Sequence, residues 1–145
     1  MVGEIFSMAT TPDAKYLFVS DNEGNLKQIC IETKLVLKDY GRIHKGNILS
    51  ITVTRDNKYL FTSDTRGHLK QFMISEQKEL KNYDKVHTAP ILCIKSSWDN
   101  KYLFTASSQG ILFQWSIPLQ DKVREYPDLH QGQILCLAST TDSKF

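Results

Sequence analysis

An all-β fold assembled from one repeated unit is what this sequence predicts, and three observations predict it. The first is a hexapeptide that keeps returning. Asp13-Ala-Lys15-Tyr16-Leu17-Phe18 recurs as Asp56-Asn-Lys58-Tyr59-Leu60-Phe61 and as Asp99-Asn-Lys101-Tyr102-Leu103-Phe104, and a fourth copy opens at Asp142-Ser-Lys144-Phe145, each step being 43 residues. The second is that distant positions keep the same step: Gly24, Gly67 and Gly110; Gln28, Gln71 and Gln114; Tyr40, Tyr83 and Tyr126; His44, His87 and His130. A fixed period of this length marks one supersecondary unit whose copies bury their apolar faces on each other. The third is alternation. Along Ile48–Thr54, Leu49, Ile51 and Val53 share one parity while Ile48, Ser50 and Thr52 share the other, which is the two-residue period of a strand.

Each unit divides into four strands. The first is read at Ile5–Thr11, Ile48–Thr54, Ile91–Ser97 and Ile134–Thr140, apolar on one face and small on the other, as suits a strand covered on both sides. A polar turn such as Thr54-Arg-Asp-Asn57 leads to a second strand at Tyr16–Ser20, Tyr59–Ser63 and Tyr102–Ala106. A tight turn carrying Gly24, Gly67 or Gly110, where glycine supplies a positive φ, leads to a third at Asn25–Ile31, His68–Ile74 and Ile111–Ile117. A more polar fourth strand is read at Leu35–Tyr40, Glu79–Tyr83 and Lys122–Tyr126, with Pro90, Pro118 and Pro127 at strand ends or in connections. Four short antiparallel strands, growing more polar from first to fourth, describe one blade of a β-propeller. The chain supplies about three complete blades and one further first strand, an incomplete ring. It reads as one segment over 1–145, with sequence units at 13–55, 56–98 and 99–141 and a truncated fourth from 142.

Composition narrows the function. The 145 residues are 41% hydrophobic and 23% charged, with a formal net charge of +2, 7 glycines and 4 prolines. This excludes a disordered or collagen-like chain. Lys and Arg are interspersed with Asp and Glu, so no basic block points to nucleic acid. No apolar run approaches the roughly 20 residues of a membrane helix. The first ten residues, with an early Glu4, do not resemble a secretory signal. Cys30, Cys93 and Cys136 are read as reduced thiols of an intracellular, cytoplasmic protein.

Taken together, the 43-residue period, the apolar first strand, the Asp-x-Lys-Tyr-Leu-Phe turn and the histidine before each first strand resemble the tryptophan–aspartate (WD) repeat family of β-propellers. The resemblance covers essentially the entire chain, but the repeats are divergent. The family's Trp is matched by Trp115 and replaced by Phe72 and Ile29; the following Asp is Ser116, Met73 or Cys30; the glycine before the His is Leu129, Val86 or Ile43. The family's buried Asp, placed just before the turn glycine, reads Glu23, Arg66 and Gln109. The resemblance therefore implies a hydrogen-bond network incomplete in every unit, with only the third, through His130 and Trp115, keeping part of it. His44, His87, His130 and Trp115 are expected to be structural blade residues.

Catalytic and metal chemistry find little footing. The three histidines fall on different blades, without Cys-x-x-Cys or His-Glu-x-x-His spacing. Cys93 and Cys136 occupy the slot held by Ser7 and Ser50, which reflects size rather than nucleophilicity. Asp13, Asp56 and Asp99 open turns, and Lys38, Lys81 and Arg124 read as solvated outer-edge charges. No cofactor is expected. What remains is loops on a rigid scaffold. By resemblance, the surface used for binding is formed by the turns 21–24, 64–67 and 107–110 and the loops 45–47, 88–90 and 131–133. The candidate contact residues there are Asp21, Glu23, Asp64, Arg66, His68, Gln109, Lys45, Asn47, Thr88 and Gln131, with Arg66 and His68 foremost. The expected function is a non-enzymatic protein-interaction scaffold, part of a larger propeller, with protein partners. Self-association of two copies into one ring, a structural spacer in an assembly and an enzyme with an active site in the propeller channel are the alternatives.

Overall fold

A computed structural model describes residues 3–127, 130–134, 137, 138 and 140. Three antiparallel four-stranded sheets follow each other along the chain, each in simple sequence order. The first blade contains β1 (Ile5–Thr10), β2 (Tyr16–Asp21), β3 (Asn25–Cys30) and β4 (Val36–Arg42). The second contains β5 (Ile48–Val53), β6 (Tyr59–Asp64), β7 (His68–Met73) and β8 (Lys78–Lys85). The third contains β9 (Ile91–Ser96), β10 (Tyr102–Ser107), β11 (Leu112–Ser116) and β12 (Asp121–Tyr126). The described residues do not close a ring. The fourth copy of the repeat, from Asp142, lies outside the described residues. Of the first strand expected at Ile134–Thr140, Cys136 also lies outside them, and Ile134, Leu137, Ala138 and Thr140 are not in a strand.

The strand limits differ from the sequence reading by one to a few residues, and one difference has a physical cause. Strict alternation fails in the first strands because a register shift separates Ile48 from Ser50, and another separates Ile5 from Ser7. The bulge resets which side chains share a face. Ile48 and Ile51 are both buried as a result, although their parities differ.

The turn between first and second strands is built the same way three times. The hydroxyl of Thr11, Thr54 or Ser97 donates to the carboxylate of Asp13, Asp56 or Asp99 at 2.5–2.6 Å. The same oxygen accepts the backbone N–H of Tyr16, Tyr59 or Tyr102 at 3.0–3.1 Å. This self-contained turn is the role read for those aspartates. Its left-handed residue, Ala14, Asn57 or Asn100, has φ of 59–63°. Asn57 and Asn100 also reach the preceding blade, accepting the N–H of Asp13 and Asp56 at 3.2 Å.

The core lies between blades rather than within one. Phe18 and Leu26 of the first blade meet Ile48, Ile51, Leu60, Phe72 and Ile74 of the second. One step later, Phe61 and Leu69 of the second meet Ile91, Ile94, Leu103, Trp115 and Ile117 of the third. Each such buried side chain contributes about 1.5–3 kcal/mol. Where the first blade presents the same face, its residues are open: Ile5, Met8 and Ile31 are 58%, 60% and 38% exposed. On the outer strands, Tyr40, Tyr83 and Tyr126 each donate a phenolic hydrogen bond to Gln28, Gln71 and Gln114 at 2.9–3.1 Å. Tyr40 and Tyr83 then meet Phe72 and Trp115 of the next blade edge-on, at 5.5 and 5.4 Å. Burial pushes both phenols up to about 12. Lys38, Lys81 and Arg124 lie over these tyrosine rings.

Candidate interaction surface

The surface begins with a buried carboxylate. Asp64 ends β6, and its Oδ1 accepts the backbone N–H groups of Arg66 and His68, both at 2.9 Å, closing the turn to β7. Asp21 makes the same turn through Glu23 and Asn25, and Ser107 does so through its hydroxyl. The glycine inside each turn has φ of 80–87°. At Gly67 a Cβ would also collide with the backbone carbonyl of His87. The positive φ expected from the sequence is therefore reinforced by close backbone approach.

These turns correct the sequence reading of the buried network. The acidic member is Asp64, three residues before Gly67, and not the residue adjacent to the glycine. Its Oδ2 accepts from His44 Nδ1 at 3.1 Å, and His44 Nε2 meets Thr62 Oγ1 at 2.8 Å. A carboxylate can only accept, so Nδ1 carries the proton. Burial alone would raise the pKa of Asp64, but the hydrogen bonds from His44 and the backbone hold it below its ordinary value. The second blade thus keeps a His–Asp–Thr network, without the Trp. In the third blade His87, not His130, completes the set: His87 Nε2 meets Thr105 Oγ1 at 2.9 Å, and Trp115 Nε1 donates to the same oxygen at 3.1 Å. His87 stacks on Phe113 at 4.2 Å. Burial and the nearby Lys122 ammonium push His87 down to about 4, so it is neutral. His130, expected among the structural histidines, is exposed. The histidine of one sequence unit serves the next blade, and Thr62 and Thr105, which the sequence reading passed over, are the hubs.

The expected contact residues divide into two groups. Asp21 and Asp64 are 1% and 0% exposed and are consumed by their turns, which corrects their reading as contact residues. Glu23, Lys45, Arg66, Thr88, Gln109 and Gln131 are exposed, and Asn47 and His68 are half-buried. Backbone bonds tie turns and entering loops together at one end of the blades. Thr65 N donates to Asn47 O and Ser108 N to Pro90 O, both at 3.0 Å, while Ile43 N and Val86 N donate to Gly24 O and Gly67 O at 2.9 Å. Each loop therefore bridges the turns of two neighbouring blades. Thr88 also donates to Gln109 at 3.1 Å. Between the first and second blades this end opens into a cleft of about 630 Å³ lined by Arg42, Lys45, Arg66, His68 and Lys70, with Asp64 at its wall. Among the described residues no group of three or more His, Cys, Asp or Glu side chains is arranged to hold a metal ion. No helix among them is long and apolar enough to cross a membrane.

Stacked four-stranded blades with His–Asp–Thr and His–Thr–Trp networks define a propeller-type repeat protein. Residues 77–116, which run from the outer strand of the second blade to the Trp-bearing strand of the third, match the family described as WD domain, G-beta repeat. The family match is confined to that stretch, and the described chain shares the fold of WD40-repeat propellers. Its fold matches the WD40 repeats of RRP9 with a TM-score of 0.82 at 16% identity, over 86% of this chain and 39% of that one. It also matches a structure of U3-55K with a TM-score of 0.87 at 17% identity, over 92% of this chain and 42% of the other. Hydrazine synthase from Kuenenia stuttgartiensis matches with a TM-score of 0.85 at 19% identity, over 97% and 40%. The chain spans about two fifths of the length of these structures. No curated protein matches it in sequence.

Proposed function

We propose that this chain is a non-catalytic protein-interaction scaffold and a segment of a larger propeller, presenting the loop end of its blades to protein partners. One observation carries the reading. Buried Asp21, Asp64, His44, His87, Thr62 and Thr105 are engaged in holding the fold, whereas Glu23, Lys45, Arg66, Thr88 and Gln109 stand exposed on loops that the backbone ties into one continuous surface. Rigidly mounted, chemically varied loops are where propellers can change specificity without changing their core. The repeat units 13–55, 56–98 and 99–141 each deliver one turn and one loop to that surface. The open apolar residues Ile5 and Met8 and the two-fifths coverage of similar structures support the segment reading.

The test is site-specific photo-crosslinking in cells. A photoreactive residue is placed at position 23, 66 or 109 at the loop end, or at 15, 58 or 101 in the turns at the opposite end. Discrete adducts confined to the first set support the reading. Equal labelling at both ends, or adducts only at the second set, overturns it.

A further inference from the structure

The cleft between the first and second blades differs in charge from its counterparts one repeat away. Arg66 stands where the other blades carry Glu23 and Gln109, His68 where they carry Asn25 and Ile111, and Lys45 where the next loop carries Thr88. The repeat itself thus acts as an internal control: blade packing does not require cations at these positions, since the other blades fold without them.

Two of the cations are also held in place. Arg42 reaches across the loop, its Nη2 donating to Lys45 O at 2.9 Å and its Nε to His44 O at 3.3 Å. The stem of Arg66 lies against Gly46, where an added Cβ would come within 3.1 Å of Cγ. Arg42, Lys45 and Arg66 are nevertheless exposed. His68 Nδ1 faces Asp64 Oδ2 at 3.4 Å. Lys70 is engaged by Glu79 at 3.0 Å, so among the described residues the positive charge not paired with a carboxylate lies with Arg42, Lys45 and Arg66. Against these, Asp84 is the one exposed carboxylate lining the cleft.

We infer that this cleft binds an acidic peptide segment of a partner protein, its carboxylates received by Arg42, Lys45 and Arg66. The inference rests on the scaffold reading and deepens it by naming the chemistry of the partner. Cations spread over two blades and a loop suit several carboxylates along an extended segment better than one compact anion. Arginine forks give such pairing directionality. Steering by the clustered charge makes the interaction dependent on salt.

The experiment is fluorescence anisotropy of the full chain with a labelled hexaglutamate peptide. A glycine–serine peptide and a phosphoserine peptide of equal length serve as comparators. The expected result is saturable binding of hexaglutamate that weakens as salt rises from about 50 to about 300 mM. Arg66→Glu and Lys45→Glu are each expected to weaken it about tenfold. Lys95→Glu, which changes net charge equally on the third blade, is expected to leave it unchanged. Circular dichroism confirms folding, and Arg66→Gln provides a milder second variant with an intermediate effect. No hexaglutamate binding, equal loss with Lys95→Glu, or binding of the phosphoserine peptide alone overturns the inference. Crosslinks at the loop end with no hexaglutamate binding remove only the acidic-partner assignment. Absence of both removes the scaffold reading with it.

Discussion

Thr105 carries more than its size suggests, and replacing it with Val shows how much. Its hydroxyl accepts from Trp115 Nε1 at 3.1 Å and is bonded to His87 Nε2 at 2.9 Å, with Thr105 0%, His87 4% and Trp115 8% exposed. Valine matches the shape and deletes both bonds, leaving two buried polar groups without partners. Each stranded group costs about 1–3 kcal/mol, so Thr105→Val is expected to destabilise by about 2–6 kcal/mol. The second blade supplies a matched comparison. Thr62 bonds His44 Nε2, but Phe72 stands where the third blade has Trp115. Thr62→Val strands one group, and is expected to cost about 1–3 kcal/mol. Urea unfolding followed by circular dichroism and tryptophan fluorescence measures both, with coincident curves as the check on two-state behaviour. The network argument is refuted if Thr105→Val costs no more than Thr62→Val, or if both stay within about 0.5 kcal/mol of the parent.

The other expectations concern single features. Gly67→Ala places a Cβ against the His87 carbonyl at a residue with φ of 85°, and is expected to cost about 2 kcal/mol or more in thermal or urea unfolding. Tyr83→Phe removes the bond to Gln71, which is 0% exposed and whose Nε2 has no partner among the described residues, and should cost about 1–2 kcal/mol. Tyr126→Phe, at a position where no fourth described blade packs on the ring, should cost less. His87 has a folded pKa of about 4 against an ordinary 6.5, so its contribution is fully present above pH 6.5 and is lost as pH falls through 6.5 towards 4. Wild-type protein should therefore lose up to about 3 kcal/mol across that window, and His87→Gln should lose much less; equal losses would refute the assignment. Asp64, lowered in the fold, contributes in a separate window, with stability present above its ordinary pKa and lost as pH falls below it. Light scattering with dye binding tests the open face of the first blade: Ile5→Ser with Met8→Ser should reduce dye binding or self-association without loss of β content.

The repeat made the architecture legible. A 43-residue step carrying Gly, Gln, Tyr and His in register requires equivalent environments, and the strands and turn glycines stand where that register puts them, within a few residues. The exposed members of the loop surface, Glu23, Lys45, Arg66 and Gln109, were also legible, because they vary at positions where the scaffold repeats. The pairing of Tyr40, Tyr83 and Tyr126 with Gln28, Gln71 and Gln114 was signalled too, since both positions recur together, although their contact was not deduced.

Other features needed the folded chain. Asp64 looks like a loop residue in sequence, yet burial and the histidine from the preceding unit make it the centre of a network. Which histidine meets which blade follows from the connection between blades, and assigning His130 and Trp115 to one unit pairs them wrongly. His87 and His130 share a repeat position, but only His87 is described with a blade packed over it; His130 is exposed. Even the faces of the first strands escaped a period-two reading, because a bulge inserts one residue and brings Ile48 and Ile51 to the same core. A periodic sequence specifies the unit and its spacing through local conformation. The partners of each polar group depend on which surfaces meet in space, and that is decided only when one blade closes on the next.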